Sequence, residues 1–165
     1  MNWEAFGSIA ELAGAFAVVA SLFYVGAQVR EGSRSTRGQT FDSIARQLNE
    51  AAAMVVEDSD LMDIGARACL DKELNEIESR RYAGYLLILF RTVQSAHHQH
   101  ELGLIEQDQL LSLVNSTSAH LSNSYGQKLW NARRHLHDAS FCSFVDTFIQ
   151  DADRDSILKG FGIDA

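Results

Sequence analysis

The chain has 165 residues, no proline, and 22 acidic against 14 basic side chains, for a formal charge of −8. That length holds one compact domain and an appendage but not two full domains. The acidic balance excludes the basic face of a nucleic-acid binder, so no nucleic-acid partner is expected. Proline marks turns and edge strands, and its absence points to helices joined by Gly, Ser, Asn and Asp turns.

Residues 9–29 form an apolar run broken by one acid, Glu11. As a helix at about 1.5 Å per residue these 21 positions run about 31 Å, close to the roughly 30 Å of bilayer hydrocarbon. A helix packed on a small soluble domain normally keeps one polar side for water, and this segment has none. Glu11 lies one turn inside, within reach of headgroups, and Trp3, Phe6 and Tyr24 suit the aromatic belts of a membrane interface. The Val25-Gly26-Ala27 triplet looks like a signal-peptidase site, but residues 1–7 hold Glu4 and no Lys or Arg, unlike the start of a signal peptide. The expectation is therefore an N-terminal transmembrane helix within residues 1–30.

Arg30, Arg34 and Arg37 follow this run and no basic residue precedes it. The positive-inside rule then places the N-terminus outside and the remaining chain in the cytoplasm of a bacterial inner membrane. Spacings of four and three put the three arginines on one helix face, suited to anionic lipid heads or serving simply as topogenic charge. Three acids and three arginines cancel up to residue 37, so the chain beyond it carries all of the −8.

Gly7, Ala10, Gly14, Ala17, Ser21, Tyr24 and Gln28 recur at alternating steps of three and four, a heptad seam that is small and then polar. Small seams let helices approach closely in lipid, so contact with a second copy or another membrane subunit is expected. Glu11 borders the seam, either as a tolerated interfacial acid or as a ring of acids in an oligomer.

Residues 31–40, "EGSRSTRGQT", read as a basic juxtamembrane joint, either a linker or a frayed helical extension. Beyond it, residues 41–165 read as a cytoplasmic bundle of five to six helices. Phe41, Ile44, Leu48 and Val55 keep helical spacing; "EDSD" (57–60) stops that helix, and Asp60 is placed to cap the next, through Leu61, Ile64 and Ala68. A long helix over 73–102 has an acidic start and an all-apolar "YAGYLLILF", and ends at Gly103. One helix is expected from Glu106 to about Gly126, a short one over 127–137, and a last over 139–152 capped by Asp138. No window alternates like a strand, so the fold class is all-α.

Cys69 and Cys142 lack zinc spacing and read as buried thiols of a reducing compartment. "HHQHE" (97–101) is the nearest approach to a metal motif, with His97, His100 and Glu101 sharing one helix face. A di-iron bundle needs Glu-x-x-His on two helices, which is absent, and ordinary hydrogen-bonded histidines account for the cluster. P-loop, dinucleotide and nucleophile-elbow signatures are missing as well. No catalytic residues and no cofactor are expected.

Three blocks, "WEAFGSIAELAGAFAVVASLFYVGAQVR", "HQHELGLIEQDQL" and "WNARRHLHDASFCSFVD", together resemble an uncharacterised bacterial family of membrane-anchored helical proteins. The resemblance implies a single-span anchor with a helical cytoplasmic domain and brings no catalytic residues with it. The sequence thus points to a non-enzymatic anchored protein that contacts lipid and assembles with itself or a larger inner-membrane complex. Two other readings stand beside it: a metal-dependent or ligand-binding enzyme using 97–101, and an ion-conducting oligomer with Glu11 in its pore.

Overall fold

The computed structural model describes residues 3–152 and 159, with side chains at 14 and from 16 onward. Seven α-helices occur among them and no strand: α1 (Trp3–Glu57), α2 (Ser59–Cys69), α3 (Glu76–Glu101), α4 (Gln107–Asn115), α5 (Ser118–Leu121), α6 (Ser124–Arg133) and α7 (Ala139–Asp151). A 3-10 turn over Arg134–Leu136 follows α6. The chain divides into two compact units, Met1–Gln39 and Thr40–Ala165.

In the first unit residues 31–39 are helical, as part of α1. Among the described residues no helix is long and apolar enough to cross a membrane. Of the run 9–29, the side chains of 9–13 and of Ala15 lie outside the description. The fourteen residues 16–29 alone make about 21 Å of helix, short of the roughly 30 Å required.

The second unit is a helical bundle around α3. Tyr82, Leu86, Leu89, Val93 and Ala96 are all but sealed from solvent, spaced as one broad helix face. Ile44 and Ala51 of α1, Ile64 and Ala68 of α2, Leu110 and Val114 of α4, Trp130 of α6 and Phe141 and Val145 of α7 complete the core. Trp130 stacks on Phe90 with ring centroids 5.5 Å apart and donates its indole N–H to Asp146 at 2.8 Å, so its polar end is satisfied.

Local chemistry sets the helix ends. Asp58, not Asp60, caps α2, accepting from the Asp60 and Leu61 amides at 3.1 and 3.0 Å while Arg81 holds its other oxygen at 2.6 Å. The long helix starts at Glu76 and not at 73, because Asn75 and Glu78 close a reciprocal capping box there. Glu78 also pairs with Arg67 at 2.7 Å, tying α2 to α3. Gly103 ends α3 with φ +70°, and the Leu104 amide folds back to the Gln99 carbonyl at 2.9 Å. Asp138 caps α7 through the Phe141 amide at 2.9 Å.

The single helix expected over 106–126 is in fact three pieces. Ser116, Thr117, Ser118 and Ser122 each turn a hydroxyl back on a carbonyl three or four residues earlier, at 2.6–2.7 Å. Such bonds compete with the helical ladder. Asn123 then opens α6 by accepting from the Gly126 amide at 2.9 Å, so α6 runs through 126–127, where a break was expected.

Candidate functional site

The described members of the small seam, Gly14, Ala17, Ser21, Tyr24 and Gln28, are exposed on α1. Gln28 donates to the Tyr24 hydroxyl at 2.9 Å, and Ser21 turns its hydroxyl onto the Val18 carbonyl at 2.7 Å. The side chains of Gly7, Ala10 and Glu11 lie outside the described residues. Arg30, Arg34 and Arg37 are exposed on the same helix.

The 97–101 cluster is taken up by internal bonds. His97 is buried against the rings of Phe141 and Phe144, with centroids 5.6 and 4.9 Å away, and its Nδ1 lies 3.9 Å from Glu101. His100 Nδ1 contacts the Ile105 carbonyl at 2.9 Å, and Glu101 accepts from the Ser140 hydroxyl at 2.6 Å. Among the described residues no group of three or more His, Cys, Asp or Glu side chains could hold a metal ion, so His97, His100 and Glu101 do not assemble into one.

A buried polar cluster lies elsewhere in the second unit, where α2, α3, α5 and the start of α6 meet. Tyr82 on α3 and Asn123 before α6 are fully buried, Cys69 at the end of α2 nearly so, and His120 of α5 half-buried beside them. The Tyr82 hydroxyl is 2.9 Å from His120 Nδ1 and 2.8 Å from Asn123 Nδ2. Cys69 Sγ stands 3.5 Å from His120 Nδ1 and 3.6 Å from the Ala119 carbonyl.

The direction of these bonds follows from one fixed point. Asn123 Oδ1 accepts from a backbone amide, which turns its NH₂ toward Tyr82. The Tyr82 oxygen therefore accepts from Asn123 and directs its own proton to His120 Nδ1, a far better acceptor than a thiol sulfur. The Cys69 thiol donates to the Ala119 carbonyl. With Nδ1 accepting, the proton of neutral His120 sits on Nε2. Burial keeps His120 neutral, lowering its pKa to about 4. Burial also drives the Tyr82 hydroxyl far above the ordinary phenol range and pushes Tyr85 up to about 12.

His120 and Tyr85 border a cavity of about 650 Å³. Their rings meet edge to face with centroids 5.2 Å apart. Sequence reading passed over this group because Cys69, Tyr82, His120 and Asn123 share no short motif, and only the helix packing brings them together. Cys69 and Cys142, the two cysteines, are not joined in a disulfide.

No family model, curated protein or solved structure matches the chain. The likeness to a family of anchored helical proteins thus stays on the three sequence blocks that suggested it.

Proposed function

We propose that this is a non-enzymatic, membrane-anchored helical protein. Residues 9–29 are its span, and it assembles through that span as a homo-oligomer or as a subunit of an inner-membrane complex. The observation that carries the reading is the surface of residues 16–29. Phe16, Val18, Val19, Leu22, Phe23, Val25 and Val29 are each half exposed or more. Successive positions turn about 100°, so these side chains sweep about half of the helix circumference, and Gly14, Ala17 and Ser21 lie on the other half. In water this surface would be unfavourable at about 25 cal/mol per Å² of apolar area, a cost that lipid removes. The small side is where a second helix packs without displacing large side chains. In the second unit, Tyr82, Asn123 and His120 Nδ1 are bonded to one another within the helix packing, which supports a non-catalytic reading.

The anchor and the assembly are separable in experiment. The full chain is expected in the membrane fraction after an alkaline carbonate wash, and recovery in the soluble fraction refutes the anchor. In mild detergent, cross-linking is expected to give a discrete oligomer or a co-purifying partner, and Gly14→Leu to weaken it. A strict monomer with no partner refutes the assembly and leaves the anchor standing.

A further inference from the structure

The cavity under His120 is a pocket in the second unit alone, bounded by residues 48–56 of α1, by α2, α3 and the turn from α4 to α5. Its volume, about 650 Å³, falls in the range of about 300–1,000 Å³ that small-molecule sites occupy. Leu48, Val55, Val56, Met62 and Leu89 make its walls apolar, and no charged side chain lines it.

Its polar atoms divide into two groups. The Ser116 and Thr117 hydroxyls and the Cys69 thiol donate to carbonyls of their own surroundings. Two more, His120 Nε2 and the Tyr85 hydroxyl, make no hydrogen bond among the described residues, and Asn49 stands exposed at the rim. The relay from the Gly126 amide through Asn123 and Tyr82 fixes His120 as a donor at Nε2. Tyr85, seated beside it, presents a second O–H. A largely apolar, half-open pocket lined by two side chains with uncommitted donors, their ring centroids 5.2 Å apart, selects a definite chemistry. A carboxylate or phosphate would find no cation among the lining residues to offset its lost hydration. A hydrocarbon would leave both donors unsatisfied.

We propose that this cavity binds a neutral, largely apolar small molecule through one carbonyl-type oxygen, which accepts from His120 Nε2–H and Tyr85 O–H. The apolar body lies against Leu48, Val55, Met62 and Leu89. The proposal rests on the second unit and holds whether or not residues 9–29 enter a bilayer.

Benzophenone is a suitable probe, being neutral and apolar with one carbonyl, and diphenylmethane is its carbonyl-free counterpart. The full chain, in lipid nanodiscs or in buffer according to how it fractionates, is methyl-labelled and its imidazoles ¹⁵N-labelled. Benzophenone is expected to shift the Leu48, Met62 and Leu89 methyls saturably, while methyls of α7 remain still. The His120 signals are expected to show Nε2 protonated and to move with benzophenone but not with diphenylmethane. Tyr85→Phe, which keeps the ring, is expected to weaken binding about tenfold in the same medium, as loss of one buried hydrogen bond should. Ala52→Trp, at the mouth, is expected to abolish it. Absence of saturable methyl shifts in the wild-type chain overturns the site. A proton on Nδ1, or equal response to both probes, overturns the assigned carbonyl contact, and neither readout depends on a variant folding.

Discussion

His120 shows how one side chain carries a pH dependence for the whole second unit. Its folded pKa, about 4, lies below the ordinary value of 6.5 because burial penalises the imidazolium. Between these values the unfolded chain binds a proton that the folded chain refuses, so stability falls as pH drops from about 7 to 4. At 1.36 kcal/mol per pH unit the loss is on the order of 3 kcal/mol. The Asp58, Glu78 and Asp138 carboxylates are held below their usual range, by the Leu61 amide, by Arg67 and by the Phe141 amide respectively. Their contributions are present above the ordinary carboxylate value near 4 and fade below it, so they leave the window above pH 4.5 to His120. Denaturant unfolding at pH 7 and 4.5 is expected to separate the wild-type chain by about 2–3 kcal/mol. His120→Phe is expected to flatten that difference, and an undiminished pH dependence in the variant would exclude His120 as its source. None of this was legible in the sequence, where His120 was one of several scattered histidines and "HHQHE" drew attention instead. What sets His120 apart is its burial among helices distant in sequence, with Tyr82 at 2.9 Å though thirty-eight positions away.

The helices themselves were more legible than the site. The apolar positions 41, 44, 48 and 55, the all-apolar centre of α3 and the caps at Asp138 and Gly103 follow local rules of spacing and turn chemistry. The misreading over 106–126 has a local cause too. "NSTS" and "LSNS" hold five hydroxyl side chains within ten residues, 115–124, and hydroxyls that bond backward interrupt a helix while leaving its apolar spacing intact. Gly126 is the element-scale consequence. A Cβ there would come within 2.4 Å of the Leu121 carbonyl oxygen and 2.6 Å of the His120 carbonyl oxygen, both backbone. The first turn of α6 sits directly against the end of α5, and the same contact seats Asn123 under Tyr82. Gly126→Ala is therefore expected to destabilise by about 3 kcal/mol or more, through forced displacement of one helix from the other. Gly84→Ala on α3, where nothing lies within 4 Å, is the matched control and should be neutral or slightly stabilising. Equal melting temperatures for the two variants would contradict the close approach.

At the scale of the whole molecule, charge is distributed by position. Residues 1–37 balance three acids with three arginines, and every net negative charge lies after them. Arg30, Arg34 and Arg37 all fall on one side of the run 9–29, and no lysine or arginine falls on the other. If that run spans a bilayer, this asymmetry alone sets its direction, because translocating a basic flank is opposed while an acidic domain contributes little to orientation. The N-terminus is then outside and residues 40–165 are inside. A tag at the C-terminus is expected to resist protease added to intact spheroplasts and to be cleaved once they are lysed. Removing the three arginines (Arg30→Ser, Arg34→Ser, Arg37→Ser) and adding charge ahead of the run (Asn2→Lys, Ser8→Lys) is expected to expose the tag in a substantial fraction of chains. Conversely, the arginines also add lipid attraction of about 1 kcal/mol each near an anionic surface. Lys replacement at the same three positions keeps the charge and should keep the tag protected. A tag that stays protected after charge reversal across the run would show that topology is set by something other than the flanking charge.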